Sequence, residues 1–92
     1  MDFTKEKNWI YAKDASGEVI AEVTFPDYRD DIVTINHTFV DDSLRGQGIA
    51  GKLMEEAYAM LKADGRKAVL TCPYAVRWFA EHPEKGDIVV TL

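Results

Sequence analysis

The segment from Ile32 to Cys72 constrains the fold more than any other, because it brackets an apolar helix pattern between two strand-like runs. Ile49, Leu53, Ala57 and Leu61 recur at steps of four, which places them on one face of a helix over Ile49–Asp64. Gly65 follows where a C-cap glycine belongs. Before the helix, IVTINHTFV (32–40) alternates as a strand; after it, RKAVLTC (66–72) is short and apolar enough to be buried. Strand, helix and strand in that order form a crossover, so the two strands are predicted to be parallel with a right-handed connection.

The remaining elements arrange themselves around that unit. NWIYAKD and SGEVIAEVTFPD are alternating runs on either side of a turn at Asp14–Gly17, and the second, about Val19 to Phe25, ends at Pro26, which has no amide proton for a ladder. In IVTINHTFV the alternation puts Val33, Ile35, His37 and Phe39 on the more apolar face, opposite Ile32, Thr34, Asn36, Thr38 and Val40. PYAVRWFAEH reads as a second helix, started by Pro73 and stopped before Pro83, and DIVVTL as a last strand. The expected fold is α/β, one domain over residues 1–92 in the order β-β-β-α-β-α-β. It would have a single mixed sheet of about five strands with both helices packed on it.

Charge and cysteine content narrow the partners. The formal net charge is −5 and the 11 Lys and Arg are scattered, which disfavours nucleic acid, whose affinity needs clustered cations. No apolar run approaches the ~18 residues of a membrane span, and the start MDFTKEKNWIY lacks a signal-like pattern, so a cytoplasmic location is expected. The single cysteine, Cys72, forms neither an internal disulfide nor a zinc site, and no metal is expected.

The turn into the first helix, LRGQGIAGK (44–52), fits three phosphate-binding patterns at once. The dinucleotide fingerprint fails because Asp41–Arg45 separate the strand from the first glycine and the next strand ends in Cys72-Pro73 rather than an acidic residue. The P-loop fails because Leu53 follows Lys52 where Ser or Thr should bind magnesium. What remains is R-x-x-G-x-A, with small residues that let a ligand approach backbone amides at a helix N-terminus. Arg45, Gly46, Gln47, Gly48, Ile49 and Ala50 are either an anion cradle of this kind or a glycine-rich loop that only turns the chain into its helix.

From INHTFVDDSLRGQGIAGKLMEEA through LTCPYAVRWFAEHPE the chain resembles the GNAT superfamily of N-acetyltransferases, whose motif Q/R-x-x-G-x-G/A is matched at Arg45, Gly48 and Ala50. The combination of HT, RGQGIA, CPY and HPE is similar to the small single-domain GNAT-like acetyltransferases of bacteria and plants. The resemblance implies an acetyl-CoA-dependent N-acetyltransferase acting on an amine, small molecule or protein, that the sequence does not identify. It implies that coenzyme A lays its pyrophosphate on the Arg45–Ala50 amides and its pantetheine arm along the backbone of Phe39 and Val40, where the parallel strands splay. The alternative is a coenzyme A-binding module without efficient catalysis.

Three side chains are candidates for the chemistry. GNAT enzymes often draw a proton from a tyrosine on the helix after the splayed strand, but Phe79 stands in that place here. Tyr74, at the start of the same helix, is either its substitute or a half-buried aromatic. Cys72, at a strand end and before a helix N-terminus, is either a reactive thiolate that meets the acetyl group or a small buried hydrophobe. His37 either takes a proton or orients Cys72 from the neighbouring strand, or is a hydrogen-bonded core residue.

Overall fold

The computed structural model describes all residues from 1 to 92. Seven strands and two helices are present: β1 (Thr4–Glu6), β2 (Trp9–Lys13), β3 (Val19–Thr24), β4 (Asp27–Arg29), β5 (Ile32–Ile35), β6 (His37–Val40), α1 (Ile49–Asp64), β7 (Lys67–Leu70) and α2 (Pro73–Glu81). The expected α/β class and the bounds of α1 agree with this arrangement. Two short 3-10 turns, Asp42–Leu44 and Pro83–Ile88, complete it.

The expected single sheet is two. One is antiparallel in the order β1-β2-β3-β6; the other runs β4-β5-β7, with β5 and β7 parallel from Ile32↔Lys67 to Ile35↔Leu70. The crossover through α1 therefore joins parallel strands as predicted, but the run 32–40 is not one strand. It breaks at Asn36, where the chain leaves β7 and joins β3. Asn36 anchors the change of partner: its amide donates to the Thr24 carbonyl at 3.3 Å, and Thr24 Oγ1 donates to its side-chain oxygen at 2.6 Å. The inserted residue shifts the alternation by one. Val33 and Ile35 point inward as expected, but past Asn36 the half-buried residues are Thr38 and Val40, while His37 and Phe39 face outward.

The last strand also differs. Residues 87–92 do not form a ladder: Pro83–Ile88 coils, and only Val89 bridges to Ala68, in parallel. Asp87 is held in the coil by Tyr58 Oη at 2.9 Å, by Lys62 Nζ at 2.6 Å and by Lys67 Nζ on its carbonyl at 2.8 Å. These bonds tie it to α1 and to the end of β7.

Both helices cover the same side of the sheets. Ile10, Ala12, Ala21 and Val23 from the first sheet and Val33, Ile35 and Ala68 from the second bury against Leu53, Met54, Ala57 and Leu61 of α1 and Ala75, Trp78 and Phe79 of α2. Each fully buried Leu or Met of α1 contributes roughly 1.5–3 kcal/mol by leaving water. Arg66 is the one buried charged residue; its guanidinium donates to Asp64 at 2.7 Å and to the Lys7 carbonyl at 2.9 Å, fastening the β1–β2 turn to the end of α1. The other face of the antiparallel sheet carries Trp9, Tyr11, Glu22, His37 and Phe39 and is covered by no helix. Neither helix is long and apolar enough to cross a membrane.

Candidate active site

The change of partner at Asn36 opens a seam. The Ile35 carbonyl accepts from the amides of Thr71 at 3.1 Å and Cys72 at 3.0 Å, and beyond that point β6 pairs only with β3. Asp41 N bonds Ile20 O at 2.8 Å, so alternation along the ladder commits the backbone of Phe39 to Glu22 and turns that of Thr38 and Val40 away from β3. Of the two positions expected to offer backbone groups there, Val40 does so and Phe39 does not; Thr38 takes its place.

Cys72 closes the seam from the other side. It is 5% exposed, and its Sγ lies 3.5 Å from Thr38 Oγ1. Burial pushes the thiol up, but the Thr38 hydroxyl and the amides of Ala75, Tyr74 and Thr38 act against it, and the net effect is a pKa below the ordinary thiol value. Two of those amides belong to the first turn of α2, whose N-cap is Cys72 itself. His37, expected to orient Cys72, is not beside it. Its side chain is on the outer face, with Nε2 3.3 Å from Glu22 Oε2. Thr38 was legible only in the motif HT, since unbroken alternation assigns it to the wrong face.

The glycine-rich turn has the geometry of an anion site. Asp41 caps the short turn Asp42–Leu44, accepting from the Ser43 amide at 2.9 Å. Gly46 and Gly48 follow at φ +82° and +68°, where a side chain would be strained, and a Cβ on either would meet nothing. Of the six amides expected to form the cradle, those of Arg45 and Gln47 are already bonded, to Asp42 O at 3.1 Å and Leu44 O at 3.3 Å. Those of Gly46, Gly48, Ile49 and Ala50 make no backbone bond, and Lys52 N is the first to bond within the helix, to Gly48 O at 3.2 Å. No acidic residue lies in the first turn of α1 to offset its dipole. The Arg45 guanidinium pairs with the Asp42 carboxylate at 2.8 Å, both well exposed. Free amides, open space and an uncompensated helix N-terminus fit a pyrophosphate.

The two helix starts converge. A Cβ on Gly51, in the first turn of α1, would stand in ordinary contact 3.5 Å from Trp78 Nε1 and 3.8 Å from Tyr74 Oη, so α2 packs directly on the start of α1 there. Tyr74 has its pKa raised by burial, with Arg77 lowering it and Glu81 adding to the rise, so its hydroxyl keeps its proton at neutral pH. Phe79 is buried edge-on to Trp78 at 4.9 Å and brings no polar atom, which leaves Tyr74 as the only phenol on α2. His82 stacks on Trp78 at 3.9 Å and its Nδ1 meets the Trp78 carbonyl at 2.7 Å, a helix-end role.

Residues 8–88 match the sequence model of a family described as GCN5-related N-acetyl-transferase. Protein NATD1 of Gallus gallus is 40% identical over 52 residues, 56% of this chain and 47% of the relative. For Protein NATD1 of Homo sapiens the identity is also 40% over 52 residues, 46% of that protein. The chain thus spans about half the length of the curated relatives it matches. An NMR structure of a GCN5-like protein from Staphylococcus aureus superposes with a TM-score of 0.81 over 99% of this chain and 89% of that one, at 24% identity, a likeness of fold. The YhbS protein of Escherichia coli, crystallised in complex with CoA, is 26% identical with a TM-score of 0.59, over 80% of this chain and 47% of that one.

Proposed function

The chain belongs to the GCN5-related N-acetyltransferase family, and from that premise we propose that it transfers the acetyl group of acetyl-CoA to an amine through the Thr38–Cys72 seam. Acetyl-CoA is the family's cosubstrate and supplies an acetyl thioester; in the net reaction the acetyl carbonyl carbon exchanges its bond to the coenzyme sulfur for one to the acceptor's nitrogen, nitrogen losing a proton and sulfur gaining one.

The chain's residues divide that work. The amides of Gly46, Gly48, Ile49 and Ala50 bind the pyrophosphate, and the backbone of Thr38 and Val40 lies along the pantetheine. The Tyr74 hydroxyl, held protonated by burial, is the proton donor in place of the tyrosine that Phe79 displaces. Cys72 meets the acetyl group: its thiolate displaces the coenzyme sulfur, which takes a proton from Tyr74, and the amine then takes the acetyl from Sγ, which leaves as the thiolate again while nitrogen's proton returns through water to the Tyr74 phenolate. The observation that carries this reading is the convergence of α1 and α2 at Gly51, which sets an anion site and a depressed thiol at the same end of the molecule.

The test is a mass measurement after exposure to labelled acetyl-CoA, with free thiol release followed in parallel. An acetyl adduct on Cys72, together with a Cys72→Ala variant that binds coenzyme A but no longer transfers, is the expected result. Transfer by that variant at the wild-type rate would make Cys72 a packing residue and the amine the direct attacker. A second reading, a coenzyme A-binding module without turnover, is favoured by the absence of a phenol at Phe79. Binding with neither adduct nor thiol release would establish it.

A further inference from the structure

The outer face of the antiparallel sheet combines groups that the packing of the molecule does not use. Register places Glu22 between Tyr11 on one neighbouring strand and Phe39 on the other, with Trp9 and His37 at the diagonals. Trp9 Nε1 donates to Glu22 Oε1 at 2.8 Å, and His37 Nε2 stands 3.3 Å from Glu22 Oε2. Trp9 and Tyr11 stack at 3.8 Å, and Phe39, 39% exposed, extends the aromatic row. The carboxylate is thus fixed in direction, flanked by aromatic side chains and only 23% exposed, while both helices lie on the opposite side.

We propose that this carboxylate–aromatic frame is the acceptor subsite, with Glu22 holding the ammonium group of an alkylamine. The proposal rests on the acetyl-transfer reading above and names its acceptor chemistry. A carboxylate with aromatic side chains beside it suits an alkylammonium ion, which takes charge-assisted hydrogen bonds and cation–π attraction together. The chain itself supplies an example, because Lys13 Nζ already sits 5.5 Å over the Tyr11 ring. The net charge of −5 favours the encounter. The location is also productive. His37 and Phe39 flank Thr38, whose hydroxyl is 3.5 Å from Cys72 Sγ, so a second nitrogen of the amine reaches the seam past one strand edge. The face holds two other charged groups, Lys13 and Glu6, the latter accepting from Tyr11 Oη at 2.8 Å.

The experiment reads the amine site without the coenzyme. The indole N–H signal of Trp9, one of two tryptophans, is followed by NMR as spermidine and, separately, α-N-acetyl-lysine methylamide are added. Glu22→Gln keeps an oxygen for the Trp9 indole but loses the charge, and should weaken amine binding about ten-fold. Phe39→Leu keeps the bulk and loses the π face, and should weaken it about two- to five-fold. Glu22-dependent binding of spermidine, which has a further nitrogen to present at the seam, assigns the site to polyamines; the same result only with the lysine derivative, whose single amine would then be held away from the thiol, overturns the assignment as an acceptor subsite. If neither amine shifts the Trp9 signal, or both variants bind as the wild type does, the proposal is overturned. Coenzyme A affinity, measured by calorimetry on the same variants, should be unchanged, so a failure of the amine site is distinguishable from a failure of the coenzyme site.

Discussion

Replacing Thr38 by Val removes one hydroxyl from the shell around Cys72 and little else. The shapes match, the backbone amide that also faces the thiol is kept, and the residue still pairs with Val23 in the ladder. The hydroxyl lies 3.5 Å from Sγ, an ordinary length for a sulfur acceptor, so its worth to the thiolate is taken as about 1 kcal/mol. That is a factor of about five in thiolate fraction below the titration midpoint. A less stabilised thiolate is also a better nucleophile, by about two-fold for a Brønsted slope near 0.4–0.5. The two effects have opposite signs and act in different pH ranges. Below the midpoint the variant should alkylate about two- to three-fold more slowly than wild type; well above it, about two-fold faster.

The assay is the rate of iodoacetamide modification of the single thiol across pH, read by mass. Because Cys72 is only 5% exposed, opening motions scale the whole curve, so the crossing of the two profiles, and not either absolute rate, is the diagnostic. Superimposed profiles would show that the Thr38 hydroxyl does not contact the thiolate. Parallel profiles that never cross would show a change in access alone.

Two further outcomes follow from the same geometry. Gly48→Val puts a β-branched side chain at φ +68°, a strain of roughly 1–2 kcal/mol, but its Cβ meets nothing in the chain, so the variant should fold and lose coenzyme A affinity by calorimetry; retained affinity would remove the turn from the binding site. The Asp87 carboxyl is held below its ordinary value by the hydrogen bond from Lys62 and then that from Tyr58. A lowered folded-state pKa gives stability that is present above the unfolded value near 3.8 and lost as pH falls through the folded one. The stability difference between wild type and Asp87→Asn should therefore shrink on acidification below that value and also in high salt, and a pH-independent difference in urea midpoints would contradict it.

How far the sequence could be read depended on whether each feature is set locally. Ile49–Asp64 was legible to the residue because its apolar period and its Gly65 cap both lie within the segment. Cys72 at a strand end before Pro73, and the glycines ahead of α1, are local in the same sense. β1 and β4 carried no signal, since all their residues are exposed and nothing alternates. The coil of Pro83–Ile88 was missed because Asp87 is held by Tyr58, Lys62 and Lys67, residues at least 20 positions away.

The break at Asn36 is the case that matters for chemistry. To a period-two reading, IVTINHTFV has no fault, and nothing within it says that its halves pair with different strands. The break is held from outside by Thr24, whose carbonyl takes the amide that Asn36 would otherwise give to a continuing ladder and whose hydroxyl fixes the Asn36 side chain. One such residue reverses the sense of every side chain after it. It brings Thr38 to Cys72 and sends His37 and Phe39 to Glu22, so the same event that opens a seam for the coenzyme also builds an aromatic frame on the opposite face. A thiol-facing threonine and an outward histidine are therefore consequences of one change of strand partner. Restoring regular alternation by deleting Asn36 should dismantle both sites together, whereas two independent features would fail separately.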